Sequence, residues 1–161
     1  MDSRVCVGCL ACANACQEHS GAPEGCNPRR TVVSYAFEGG ASRFVSLACM
    51  HCAEPACLSV CPASALSKVE GGAVVVDRER CIGCRYCRQA CPFDIPQYAD
   101  GLMDKCDLCT GAGVPTGADP WCVQACPSEA LGFGPLDELR ERAGDAARQV
   151  EAPTVPSLIV S

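Results

Sequence analysis

The chain has 161 residues, 17 of them cysteine, and a formal net charge of −6 with 13 lysine and arginine residues. A cysteine fraction above one in ten lies outside ordinary globular composition, and an acidic chain with no basic stripe excludes nucleic acid as the expected partner. No apolar run approaches the roughly 18 residues that would span a bilayer, and Met1-Asp2-Ser3-Arg4 does not read as a secretory leader, so the expectation is a soluble chain whose thiols meet a reducing compartment.

The first element in chain order is the run Cys6, Cys9, Cys12, Cys16, with a short helix expected from about Ala11. Residues 31–37 and 43–48 are rich in apolar and β-branched side chains on either side of Gly39-Gly40, which predicts a hairpin. Cys49, Cys52, Cys57 and Cys61 follow, with a helix near Pro55, and then a second predicted hairpin, 66–69 with 73–77, about Gly71-Gly72. Cys81, Cys84, Cys87 and Cys91 come next, with a helix near Arg85. Cys106, Cys109, Cys122 and Cys126 form the last group, with a helix near Trp121. Pro135 opens a helix to Ala143, with Asp137 and Glu138 in its first turn. Residues 144–161 read as an extended tail.

Every group opens with CxxC and closes with CxxxC, and the gap between second and third cysteine is 3, 5, 3 and 13 residues in turn. This is an internal repeat with insertions at one place. A CxxC turn aims two thiolates at one metal centre, while an i, i+4 pair on a helix lies on one face about 6 Å apart along the axis, so its two sulfurs can serve neighbouring centres. The third group, CIGCRYCRQACP, has the spacing of the bacterial two-cluster ferredoxin run, whose fourth cysteine ligates the other cluster. Pro62, Pro92 and Pro127 follow three of the closing cysteines and turn the chain off its helix; Gln17 stands at the fourth place. A zinc module wants two CxxC pairs separated by 12–20 residues, which only the last group resembles. A disulfide scaffold is poorly served by cysteines at every third position. Leu, Ile, Val and Phe together supply 32 residues, a thin core that a metal centre would reinforce.

Taken together, DSRVCVGCLACANAC, LACMHCAEPACLSVCP, RCIGCRYCRQACPF and KCDLCTGAGVPTGADPWCVQACP resemble, in that order, the iron-sulfur subunit of the DMSO reductase family of molybdopterin oxidoreductases. The resemblance implies four [4Fe-4S] clusters. Its ligand sets are Cys6, Cys9, Cys12 with Cys126 (centre one); Cys106, Cys109, Cys122 with Cys16 (centre two); Cys49, Cys52, Cys57 with Cys91 (centre three); and Cys81, Cys84, Cys87 with Cys61 (centre four). The implied fold is α+β, a duplicated ferredoxin-like unit. Residues 1–30 plus 99–135 would form an outer two-cluster lobe, 31–98 an inner one, and 136–161 a C-terminal helix and tail. The implied role is electron transfer without bond chemistry, between a molybdopterin catalytic subunit and a quinol-linked membrane subunit or soluble donor. A membrane anchor is a further candidate partner. The alternative is a free polyferredoxin or a subunit of a hydrogenase-type assembly. Two departures stand out: five residues precede Cys6, so the strand that usually leads into the first group is expected to be shortened or missing, and APTVPSLIVS is too short and proline-broken for a membrane helix. The implied destinations are the cytoplasm or, by co-export with a partner, the outer face of the cytoplasmic membrane.

Some residues invite a role beyond ligation. His51, inside CMHC, is expected to pack or hydrogen-bond rather than ligate. Trp121 is a candidate to shield a cluster or lie between two, with simple packing as the alternative. Lys105 and Arg85 are expected to be solvated charges, with tuning of a potential or contact with a partner as the alternative. Cys26 reads as a free thiol, and Arg29-Arg30 as too internal for an export signal.

Overall fold

The residue before the second cysteine of each CxxC pair has a left-handed backbone: Gly8 (φ 68°), His51 (42°), Gly83 (65°) and Leu108 (59°). Such a residue turns successive amides inward to make a concavity suited to anions and iron-sulfur centres. Space dictates glycine at two of the four. A Cβ on Gly8 would stand 2.6 Å from the Phe44 ring, and one on Gly83 would run into the Gly101 carbonyl. The computed structural model describes residues 1–37, 40 and 42–161, so the predicted Gly39-Gly40 turn lies partly outside the described residues.

A helix follows each loop: α1 (Ala11–His19), α2 (Ala56–Ser59), α3 (Tyr86–Ala90) and α4 (Trp121–Gln124). Helix α1 carries both Cys12 and Cys16, whereas α2, α3 and α4 carry Cys57, Cys87 and Cys122 and end before the closing cysteine. After α2, α3 and α4, the N–H groups of Ser64, Asp94 and Glu129 return to the carbonyls of Cys61, Cys91 and Cys126, each at 3.2 Å. The donors in these three turns have φ of 48°, 50° and 52°. The proline after each closing cysteine sets up this turn. With Gln17 in its place, α1 runs on past Cys16 to His19.

The strands form four separate antiparallel hairpins: β1 (Thr31–Ala36) with β2 (Ser42–Leu47), β3 (Leu66–Lys68) with β4 (Val74–Val76), β5 (Gln97–Ala99) with β6 (Leu102–Asp104), and β7 (Arg148–Gln149) with β8 (Ile159–Val160). The first two lie where the sequence predicts them. The third turns on Asp100-Gly101, both at positive φ, a hairpin signal that the cysteine pattern around it overshadows. Helix α5 (Leu136–Ala143) lies where Pro135 and its acidic first turn predict.

The reading of 144–161 as an extended tail is corrected. Besides β7 and β8, this stretch straps the second cysteine loop: Ala53 and Glu54 N–H donate to the Val155 and Thr154 carbonyls, and Ser157 N–H to that of Met50. It also pairs with the first residues, Ser3 N–H donating to the Ser161 carbonyl and Ser161 N–H to that of Met1. These partners satisfy backbone groups that a free tail would leave to water.

The result is a small α+β fold with two modest apolar cores. One gathers Leu66, Val74, Cys87 and Met103, with Cys57, Cys61, Cys81 and Tyr98 against them. The other gathers Cys12, Cys122 and Leu131, with Met1, Val32, Val123 and Cys126. Helix α1 packs on α4, and α2 on α3. Among the described residues no helix is long and apolar enough to cross a membrane.

Candidate metal centre

The loops and helices bring cysteines of different groups around shared voids. Cys6, Cys9, Cys12 and Cys126 line one, with Val32 and Leu131 closing it. Cys16, Cys106, Cys109 and Cys122 line a second, which Cys49 also borders. Cys61, Cys81, Cys84 and Cys87 line a third, beside Leu66, Tyr98 and Met103. Burial pushes the Cys57 thiol up to about 11 with Cys49 and Cys91 adding to the shift, and burial raises Cys49 with Cys52 and Cys91 adding. Cys106 is pushed up to about 12, by burial first and then by Cys49. Buried thiols of this kind give up their protons to a metal centre rather than to water.

The thiols ring a space rather than a point. Among the described residues no three His, Cys, Asp or Glu side chains converge tightly enough for one metal ion. A tetrahedral zinc with bonds of about 2.3 Å holds its sulfurs about 3.8 Å apart, whereas an iron-sulfur cube spreads four thiolates over four irons.

Donors already surround these sulfurs. The amides of Ala65, Met103 and Leu108 donate to Cys61, Cys81 and Cys106 Sγ at 3.3, 3.5 and 3.5 Å. Ser46 Oγ lies 3.3 Å from Cys12 Sγ and Tyr98 Oη 3.0 Å from Cys87 Sγ, while Cys52 Sγ itself donates to Thr154 Oγ1 at 3.3 Å. Arg30 borders the second void, and its Nε is shut from solvent without a partner among the described residues, as is Trp121 Nε1. Unpaired buried donors beside a ring of thiols fit an occupant rich in acceptor sulfur. The residues present therefore suit a sulfur-bridged iron cluster.

His51 is buried, and its Nδ1 accepts the Val74 N–H at 2.9 Å. Burial, and then the charge of Lys105, lower its pKa to about 3, so the ring is neutral and serves the backbone. Trp121 stacks on His19, ring centroids 4.8 Å apart. Arg85 is exposed and lies over the Tyr98 ring, 5.2 Å from its centroid. Cys26 is buried, borders none of the three voids, and burial raises its pKa. The expectation of a solvated Lys105 is corrected: it is 2% exposed and donates to the Val74 and Cys106 carbonyls, because β6 carries it inward beside fully buried Asp104. Sequence reasoning missed the ion-pair network next to it. Arg29 meets Asp104 at 2.7 Å and Asp107 at 3.0 Å. Its one visible signal is the pair of acids flanking Lys105-Cys106.

Residues 41–136, which contain the second, third and fourth cysteine groups, match the 4Fe-4S dicluster domain. The protein belongs to the 4Fe-4S dicluster family. Its cofactor is accordingly the [4Fe-4S] cluster. This 4Fe-4S dicluster protein is 40% identical to the B subunit of anaerobic dimethyl sulfoxide reductase from Escherichia coli, in an alignment covering 99% of this sequence and 85% of that one. It is 41% identical to the subunit of the same name from Haemophilus influenzae over the same shares. It is also 40% identical to the thiosulfate reductase electron transfer subunit PhsB of Salmonella typhi, covering 85% of this sequence and 74% of that one.

Proposed function

We propose that this protein is the electron-transfer subunit of a molybdopterin oxidoreductase, passing single electrons to or from a catalytic partner and doing no bond chemistry itself. The names of its relatives, one a subunit of a reductase and another an electron transfer subunit, support the role. The observation that carries it is the exposure of two thiols, Cys9 and Cys84. They belong to the first and third groups, and each has an apolar collar: Val7 and Leu10 beside Cys9, Ile82 and Tyr86 beside Cys84. A relay needs one place where electrons enter and another where they leave. Two ligand loops that reach the surface among exposed apolar side chains supply both, and the remaining cysteines lie deeper.

We read the protein as holding four clusters, in the cross-ligated sets numbered centres one to four above, within a duplicated ferredoxin-like fold. Sharing of a void by Cys126 with the first group, by Cys16 with the fourth and by Cys61 with the third supports that assignment. Centres one and two would occupy the outer lobe (1–30 plus 99–135), and centres three and four the inner lobe (31–98). Each cluster supplies a one-electron step at a potential set by hydrogen bonds, burial and neighbouring charge. The protein's own residues exclude water, donate N–H and O–H groups to the sulfurs and fix the spacing. The second redox partner in this reading is a membrane quinol-linked subunit or a soluble donor.

Anaerobic purification from the native host tests the proposal. About sixteen irons and sixteen sulfides per polypeptide, in a complex that contains molybdenum or tungsten, are expected. A redox-active monodisperse monomer without such a partner would overturn the role, and far less iron would overturn the count. Cys126→Ser should perturb centre one and Cys16→Ser centre two, each leaving the other three spectra intact.

A further inference from the structure

Arg29, Arg30 and Lys105 lie buried or half-buried with two acids, Asp104 and Asp107. Arg29 takes both: its guanidinium contacts Asp104 at 2.7 and 2.9 Å and Asp107 at 3.0 Å. Lys105 has no carboxylate partner among the described residues; its ammonium donates to the Val74 and Cys106 carbonyls. Arg30 has none among them either. Its Nη1 donates to the Ser46 carbonyl at 3.3 Å and to Ser46 Oγ at 3.0 Å, and its Nε is orphaned. Shielding a cation without a counter-charge is costly, so a fold that retains two of them must offer anions nearby. Here the anions are sulfur. Arg30 borders the void lined by Cys16, Cys106, Cys109 and Cys122, and the Ser46 hydroxyl that accepts from it lies 3.3 Å from Cys12 Sγ. Lys105 immediately precedes Cys106, and the Val74 that accepts from its ammonium donates its own N–H to His51, inside the loop between Cys49 and Cys52. These cysteines come from the second and fourth groups, whose closest approach is marked by Cys49 bordering the void lined by Cys16, Cys106, Cys109 and Cys122.

We infer that Lys105 and Arg30 are the fixed counter-charges of the clusters that carry an electron between the two lobes, and that they hold the potentials of those clusters up. The inference rests on the four-cluster reading above: Lys105 stands between centres two and three, Arg30 between one and two. An oxidised cube with four thiolates carries about −2 and gains another negative charge on reduction. A cation close by in a low-dielectric seam favours the reduced form. One electron arrives and one departs, and no proton or covalent bond changes hands. Both residues act as positioning charges, without touching substrate.

The test is a potentiometric EPR titration of the anaerobically prepared complex. Wild type is compared with Lys105→Gln, Arg30→Gln and the charge-keeping Lys105→Arg and Arg30→Lys. Arg140→Gln on α5 is a remote control. The neutral variants are expected to lower the reduction equilibrium of a flanking cluster at least tenfold, about 59 mV for one electron. The charge-keeping variants should restore it, and Arg140→Gln should match wild type. Unchanged potentials in the neutral variants would overturn the inference. If a neutral variant loses its clusters, iron per polypeptide decides: full iron in the charge-keeping variants supports the role of charge, and loss there too overturns it in favour of shape. A wild-type complex with no [4Fe-4S] signal would instead bring down the cluster reading itself.

Discussion

The Tyr98 hydroxyl lies 3.0 Å from the Cys87 sulfur. Burial, and then the Cys87 thiol itself, push the phenol's pKa upward, so it stays protonated and can donate to a ligating thiolate. Tyr98→Phe removes that donor and little else. The centre that Cys87 serves should fall in potential by about 40 mV, the equivalent of about 1 kcal/mol of hydrogen bonding. Redox titration of the purified complex measures it; an unmoved potential would mean that the hydroxyl does not donate to the sulfur.

Arg29 and Asp104 form a buried, two-pronged ion pair whose guanidinium also donates to the Ser20 carbonyl at 2.9 Å. Asp104 is fully buried, so Arg29→Ala leaves an unmatched carboxylate and should cost about 3–5 kcal/mol. The double variant Arg29→Met/Asp104→Leu removes both charges and should lie closer to wild type than either single change. Anaerobic denaturant unfolding, followed by loss of visible colour, gives the comparison.

Gly83→Ala and Gly101→Ala separate two costs. Gly101 has φ of 78° and open space at its Cβ position, so alanine there pays only the left-handed penalty, about 1–2 kcal/mol. At Gly83 the same penalty is joined by a collision with the Gly101 carbonyl. Gly83→Ala should lower the iron content per polypeptide, while Gly101→Ala should keep it and lose only some stability. Equal iron content in the two would show that the third loop tolerates displacement.

Removing iron by anaerobic chelation should abolish most of the tertiary structure. The two apolar cores are small and themselves include proposed ligand cysteines, Cys87 in one and Cys12 and Cys122 in the other. Little remains to hold the hairpins together once those sulfurs lose their shared metal. Near-UV circular dichroism should collapse with the visible absorbance, and a metal-free protein that keeps its near-UV spectrum would contradict this.

The helices α1 to α4 were readable because i, i+4 cysteines and flanking prolines are local signals, and β3–β4 because Gly71-Gly72 sits between short apolar runs. The β5–β6 hairpin was not, since three-residue strands offer too little alternation to outweigh the neighbouring cysteine pattern, even with Asp100-Gly101 at the turn. The inward course of Lys105 escaped for a different reason. A lysine beside a ligand reads as solvated, and only the partners Val74 and Cys106, set by long-range packing and by the next residue's carbonyl, show otherwise. The path of 144–161 depends on contacts with residues more than a hundred positions away, which no local pattern encodes.

That path bears on the order of biosynthesis. Thr154, Val155 and Ser157 close over Met50, Ala53 and Glu54, and Ser157 Oγ donates to the His51 carbonyl at 3.0 Å. A nascent polypeptide therefore leaves its second loop open until these late residues emerge from the ribosome. Delivery of inorganic iron and sulfide to that loop has its widest access before the strap latches, and latching then slows their escape.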